Sequence, residues 1–382
     1  MINNKSISSL ILFLVLLNIP SILLQSFSII LSSPVSYLLF FLLFVLSVSN
    51  RFNVDLEIKI FSIISFLYFI IGAFNYNGSL IIMLIIMIKF YLLLYGLNAT
   101  LSYVSEEKIV LLLFIGSFMI LLDSIYFRFN DVVFDYHINP YYRYSGFYLN
   151  PNTAAFVSIV GYIFVLVKNY RFKLFLLLTF TLFGFMTLSR TFMMSWIIIN
   201  IIYSIYNKKH LLYIPFFVLS IPLIAFFNNI FNLETNRMDF VVNFFKKGYI
   251  DLDIFNYNAR QNTWGQYYDK IFDYPLFGSG FKSFSGGWEY FDQGVHNTFL
   301  LIIGESGLIP FILFTLFIIF IMYKTYKMIK SNLLSILLML ALLMQLLVSH
   351  NFFDSSLMIF ILVFVINKIN QLPVNNLNKD NI

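Results

Sequence analysis

The sequence predicts an all-helical polytopic membrane protein, with about twelve transmembrane helices and one long outer loop, and three observations carry that reading. Of 382 residues, 60% are apolar and only 11% are charged, far below the roughly one-quarter charged share of soluble domains. At about 20 apolar residues per span, this composition supplies on the order of eleven crossings. The basic residues are scattered between apolar runs and form no stripe, so the net charge of +6 reflects topology and not a nucleic-acid partner. Cysteine is absent, which excludes disulfides, thiolate metal sites and cysteine nucleophiles.

Apolar runs between polar breaks place helices near residues 7–24, 35–49, 60–74, 80–97, 109–127, 152–167, 174–188, 191–206, 211–230, 297–323, 333–349 and 355–367. The first run has Lys5 ahead of it and no small-residue cleavage site after it, so it reads as a retained span. Residues 1–230 then hold nine helices, 231–296 form a long outer loop packed on the membrane domain, 297–372 hold three helices, and 373–382 are a polar cytoplasmic tail. An even number of spans puts both termini on one side. With that side cytoplasmic, it receives Lys5, Arg51, Lys59, Lys108, Lys168, Arg171, Lys173, Lys208, Lys209, Lys324, Lys327, Lys330, Lys368 and Lys379, and the short outer loops keep only Arg128, Arg143 and Arg190. The long loop is mildly acidic and rich in aromatics such as Tyr249, Tyr257, Trp264 and Tyr268, which argues that it packs and is not disordered. A helix is predicted over 260–272, followed by turns at Pro275, Gly278, Gly280, Gly286 and Gly287.

Polar residues at membrane depth or at outer helix ends are informative, because each costs roughly 2.5 to 3.5 kcal/mol in lipid without a partner. Four clusters qualify, each where an even-numbered span begins on the outside. Ahead of the sixth span, Arg143 and Asn150-Pro151-Asn152 form a natural N-cap with proline at the first helical position. That leaves outward N–H groups suited to phosphate, or simply an ordinary capped helix with an interfacial arginine. Between the seventh and eighth spans the whole break is Ser189-Arg190-Thr191, which places Arg190 in a protein or water-filled cavity suited to gripping phosphate, or snorkelling to headgroups. The third cluster is the run 274–281 with His296-Asn297 and Gly304-Glu305-Ser306-Gly307, and the fourth is Ser349 to Asp354. Asp354 either orients a base or caps the following helix. Lys89, nine residues into its span, is expected to face the bundle interior, with Asp123 as a candidate partner.

These residues resemble the O-antigen ligase and O-antigen polymerase superfamily of bacterial integral-membrane glycosyltransferases over roughly residues 140 to 355. The resemblance rests on Arg143 with Gly146 and Pro151-Asn152, on Ser189-Arg190-Thr191, on Arg260 with Trp264 and the Pro-Leu-Phe-Gly-x-Gly run at 275–280, and on His296-Asn297 followed by Gly307. It implies transfer of a sugar chain from an undecaprenyl-diphosphate-linked donor to an acceptor hydroxyl on the outer face of the cytoplasmic membrane, without nucleotide sugar, metal or other cofactor. It implies further that Arg190 and Arg260 hold the diphosphate with Arg143 in support, and that His296 takes the acceptor proton. Asn150, Asn152, Trp264, Asn297 and Asp354 are the expected substrate-side residues. A repeat-unit polymerase is the expected member, working with membrane lipid and with a chain-length regulator and a flippase of the same pathway. The ligase is the nearest rival, slightly disfavoured because Pro310 stands where ligases carry a small or hydroxyl residue. A lipid-linked-oligosaccharide flippase fits less well, since polar residues gather on the outer side and not along a central cavity. Asp251-Leu252-Asp253 has a metal-binding spacing, but two aspartates in an acidic loop are common and nucleotide sugars are not expected outside the cytoplasm.

Overall fold

The computed structural model describes residues 3–26, 29–129, 144–213, 260–286 and 293–371. Within them every regular element is helical: α1 (Asn4–Leu16), α2 (Ile19–Ser26), α3 (Ile29–Ser49), α4 (Leu56–Phe74), α5 (Leu80–Leu101), α6 (Glu106–Phe129), α7 (Pro151–Val167), α8 (Lys173–Met186), α9 (Arg190–Tyr206), α10 (Arg260–Asp273), α11 (Thr298–Ser306), α12 (Leu308–Lys327), α13 (Leu333–Leu346) and α14 (Ser356–Gln371). Helices α3, α4, α5 and α12 are long and apolar enough to cross a membrane, and α1, α7, α8, α13 and α14 are shorter apolar helices. The expected helix near 211–230, most of the long loop, Arg143, Asp251, Asp253 and the tail 373–382 lie outside the described residues.

Two predicted single spans are broken helices. The first divides into α1 and α2 at Asn18, whose φ of 53° is left-handed, a conformation asparagine tolerates. Pro20 then stands in the first turn of α2, where a missing N–H costs nothing. The tenth divides into α11 and α12 at Gly307, with φ 80° and ψ −168°, a region open essentially to glycine alone.

The chain forms two compact units. One comprises residues 12–37 and 105–260. Its centre is α7, buried continuously from Ala154 to Leu166 and packed against α6, α8 and α9. At one end of α7, Asn150 accepts a hydrogen bond from the Asn152 N–H at 2.8 Å with Pro151 at the first helical position, as the sequence predicts. Toward the other end, Asn200 accepts from the Tyr162 hydroxyl at 2.6 Å, lies 2.6 Å from the His210 Nε2, and donates to the Trp196 carbonyl at 2.7 Å. A buried amide so saturated stabilises where an unpaired one would cost roughly 1 to 3 kcal/mol.

The other unit comprises residues 1–11, 38–104 and 261–382. Here α14, buried from Leu357 to Ile366, packs against α4, α5, α12 and α13. At the start of α4, Glu57 pairs with Lys324 at the end of α12 and accepts from the Asn370 amide at 2.8 Å. At the far end of α4 lies the site described below.

The expectation for Lys89 is corrected. Its side chain is exposed, on the same face of α5 as Ile81, Ile85 and Ile88, and its ammonium stands 5.5 Å from the Phe40 ring centroid. Long lysine stems lie along apolar surface in this way. Asp123 serves a different purpose, accepting from the Ser145 and Gly146 N–H groups at 3.1 and 2.9 Å and so anchoring the turn that leads into α7.

Candidate functional site

The Pro-Leu-Phe-Gly-x-Gly run is a wedge between two helix ends. A helix C-terminus leaves carbonyls without intrahelical donors, and α11 ends at the glycine break. The loop supplies them: Ser279 N–H donates to the Gly304 carbonyl at 2.7 Å and Gly280 N–H to the Glu305 carbonyl at 3.2 Å. On the loop's other side, Phe281 N–H reaches the Gly72 carbonyl at 2.8 Å and the Asn75 amide donates to the Gly278 carbonyl at 2.7 Å, which fastens it to the end of α4. Leu308 N–H, at the start of α12, is taken by the Pro275 carbonyl at 3.0 Å. A Cβ at position 307 would stand 2.1 Å from the Leu276 carbonyl oxygen. Gly307→Ala is therefore expected to lower stability by about 2 kcal/mol or more, read as a fall in the midpoint of thermal unfolding in detergent; an unchanged midpoint would contradict the wedge.

Beneath the wedge is a buried carboxyl. Glu305, 1% exposed, accepts from the Tyr68 hydroxyl at 2.5 Å on Oε2, and from the Phe284 N–H at 3.3 Å and the Ser285 hydroxyl at 3.2 Å on Oε1. Burial of such a group is costly unless it is hydrogen-bonded. Tyr68 is itself fixed, stacked on Phe353 at 4.2 Å with the rings 6° apart, and Phe353 in turn meets the rings of Phe314 and Phe352.

The histidine follows from this frame. Val295 N–H bonds to the Phe284 carbonyl at 3.0 Å, and the Thr298 hydroxyl bonds to the Ser349 carbonyl at 2.7 Å, so the segment around His296 is held on both sides. His296 sits at φ 49°, uncommon for a side chain with a Cβ and a reason to ask what the geometry serves. Its ring meets that of His350 edge-on, 4.8 Å between centroids. A small recess beside the pair is lined by Tyr68, Phe281, Lys282, Ser285, Leu301, Glu305, His350, Phe353 and Asp354.

Burial pushes the His350 imidazole down to about 4, helped by His296 and Lys282 and opposed by Asp354. His350 is therefore neutral near neutral pH. Because its folded value lies below the ordinary 6.5 or so, the unfolded chain binds the extra proton first as pH falls. Stability is expected to be full above about pH 6.5 and to drop by up to about 3 kcal/mol toward pH 4. Unfolding midpoints measured across that window should flatten in His350→Asn; an equal slope in both proteins would count against this origin.

Of the sequence-predicted residues, the structure gathers His296, Asn297 and Asp354 at this end of the unit. Asn297 is the N-cap of α11, its Oδ1 accepting from the Phe299 and Leu300 N–H groups at 2.9 and 3.1 Å. Asp354 pairs with Lys282 at 2.6 Å, and the acceptor at the start of α14 is the Ser355 hydroxyl, from the Met358 N–H. Capping is thus not the task of Asp354. Trp264 lies on α10, whose Tyr267 donates to the Gln293 carbonyl, while the Trp264 indole Nε1 is shut from solvent without a hydrogen-bond partner. Arg260 is the first residue of α10. In the other unit, Asn150, Asn152 and Arg190 come together where α7 and α9 begin: the Ser189 hydroxyl donates to Asn152 Oδ1 at 3.1 Å, and Arg190 is exposed. The sequence reading assigned no role to Glu305, Tyr68, Lys282 or His350. Glu305 carried a usable signal, since it is the one acid inside the apolar run 298–323.

Residues 152–315 match the family model described as O-antigen ligase. Over that stretch the chain is similar to the O-antigen ligase family. That region starts at Asn152 in α7 and ends within α12, so Asn152, Arg190, Arg260, Trp264, His296, Asn297 and Glu305 fall inside it. Its members are membrane enzymes of the glycosyltransferase kind, and this chain is a multi-pass membrane protein. No curated protein and no solved structure matches the chain.

Proposed function

We propose that this protein is a member of the O-antigen ligase and polymerase superfamily and, within it, a repeat-unit polymerase of a bacterial surface glycan, O-antigen or capsule. It transfers a glycan from undecaprenyl diphosphate to a hydroxyl of a lipid-linked repeat unit at the outer face of the cytoplasmic membrane. The observation that supports the reading is the family match across residues 152–315, a stretch that includes His296, whose ring meets that of the recess-lining His350. In the reaction the acceptor oxygen bonds to the anomeric carbon of the donor glycan, the carbon–oxygen bond to the diphosphate breaks, and undecaprenyl diphosphate leaves. The acceptor proton passes to His296, an imidazole being the side chain whose ordinary titration range lies nearest neutrality. The leaving diphosphate is already a good leaving group, so fixed cations suffice to stabilise its departure; Arg190 and Arg260 take that role, with Arg143 in support. No nucleotide sugar, metal or other cofactor enters.

A second reading, the ligase that delivers the glycan to lipid A core, is favoured by the description of the matching family itself. Deletion of the gene in its native strain separates the two on a gel of surface glycolipid. Polymerase predicts collapse of the ladder to core plus a single repeat unit. Bare core with long polymer retained on undecaprenyl diphosphate means ligase, and an unaltered ladder sinks both.

A further inference from the structure

We infer that Lys282 is an anion-binding residue of this site, held in reserve by Asp354 and released to the diphosphate of the lipid donor when it arrives. The inference rests on the glycosyltransferase reading above. Three observations lead to it. The Lys282 ammonium and the Asp354 carboxylate meet at 2.6 Å, with side chains 33% and 46% exposed, so both remain within reach of an incoming solute. Both also line the recess shared by His350, Ser285 and Glu305. Lys282 stands at φ 66°, and among the described residues it and His296 are the two non-glycine residues of this wedge-and-histidine assembly in the left-handed region. Conformations of that kind cost free energy, persist where the surroundings over-determine them, and cluster at ligand clamps. The surroundings here are the wedge bonds of Ser279, Gly280 and Phe281 on one side and of Phe284 on the other.

The chemistry points to an anion. The side-chain hydrogen bonds to Glu305 come from Tyr68 and Ser285, with the Phe284 N–H beside them, and not from the Lys282 ammonium, which meets Asp354 at the recess. The lysine's partner is instead a half-exposed aspartate, and an ion pair at such exposure is worth only about 0 to 1 kcal/mol. A diphosphate carries more charge and more acceptor oxygens than one carboxylate, and charge-assisted bonds to it are roughly twice as strong as neutral ones. Asp354 is then a placeholder: it keeps Lys282 extended toward the recess and yields it to a stronger anion.

This arrangement separates itself from a merely structural ion pair, because the two partners have opposite effects on binding. Wild type, Lys282→Met, Lys282→Arg and Asp354→Asn are placed in lipid nanodiscs and titrated with undecaprenyl diphosphate, with uncharged polyprenol as the control. Lys282→Met is expected to bind about tenfold more weakly, Lys282→Arg close to wild type, and Asp354→Asn about threefold more tightly. Equal weakening in Lys282→Met and Asp354→Asn would show a structural pair and overturn the inference, as would unchanged binding in Lys282→Met. Thermal midpoints of all four proteins report folding, and Asp354→Asn reads the same competition without touching the lysine. Failure of the parent reading looks different: wild type would then show no preference for the diphosphate over polyprenol, and no glycan transfer.

Discussion

Replacing His296 by alanine is expected to lower glycan transfer by about a hundredfold to ten-thousandfold while the protein still inserts and folds. The size follows from what the imidazole does in the proposed reaction. An acceptor hydroxyl is a weak nucleophile, and removing its proton as the bond to the anomeric carbon forms is work that water does poorly. Among the described residues, the two nearest candidates are poorly placed to substitute. His350 lies edge-on to His296 and is partly buried, with its Nδ1 shut from solvent and lacking a hydrogen-bond partner, and Glu305 is engaged by Tyr68, Phe284 and Ser285. Alanine at a left-handed position also carries a backbone cost, so His296→Asn is the sharper variant, asparagine being among the residues that tolerate φ near +50°. Both variants, expressed at wild-type level, should leave the glycan ladder collapsed. A full ladder from either would remove His296 from the chemistry. Arg190→Ala and Arg260→Ala should weaken transfer through leaving-group stabilisation, and sensitivity to an acceptor's acidity should distinguish them from the histidine variants.

What could be read from the chain alone, and what could not, divides along a physical line. Local signals were legible because they act over a few residues. Asn150-Pro151 specifies the start of α7 by cap and proline, the apolar stretch 60–74 lies within α4, and the helix expected over 260–272 is α10 almost to the residue. The glycines of 275–280 read as turns, and they are turns, though their purpose of satisfying the carbonyls of α11 depends on a helix that follows them by twenty residues. Breaks inside apolar runs were invisible, because hydrophobicity continues through Asn18 and Gly307 while the backbone reverses its handedness there. The pairing of Tyr68 with Glu305 spans 237 positions, and no periodicity connects residues so far apart. Lys89 shows the opposite error, in which a general cost of burying charge was applied to a side chain that the fold leaves exposed.

Glu305→Ala should be the most damaging single change to the architecture around the recess, costing about 3 kcal/mol or more and abolishing transfer with it. The substitution strands three donors at once: the Tyr68 hydroxyl, the Phe284 N–H and the Ser285 hydroxyl. Only the hydroxyls can turn elsewhere. The Phe284 amide cannot, and it sits in the segment whose carbonyl receives the Val295 N–H and so aligns His296. Loss of the carboxyl is therefore expected to reach the histidine without contact between them. Glu305→Gln discriminates between charge and shape. A glutamine can keep its carbonyl oxygen toward Phe284 and Ser285 and present its amide to Tyr68, whose hydroxyl oxygen is able to accept as well as donate. That variant should lose only about 1 kcal/mol and retain transfer in part. Tyr68→Phe, which removes one donor from the opposite carboxyl oxygen, should fall between wild type and Glu305→Ala, at about 1 to 2 kcal/mol. Unfolding midpoints and transfer rates measured on the three variants together should rank in that order. If Glu305→Gln proved as damaging as Glu305→Ala in transfer but not in stability, the carboxylate's charge would be acting on the reaction itself, and its role would no longer be to position the loop.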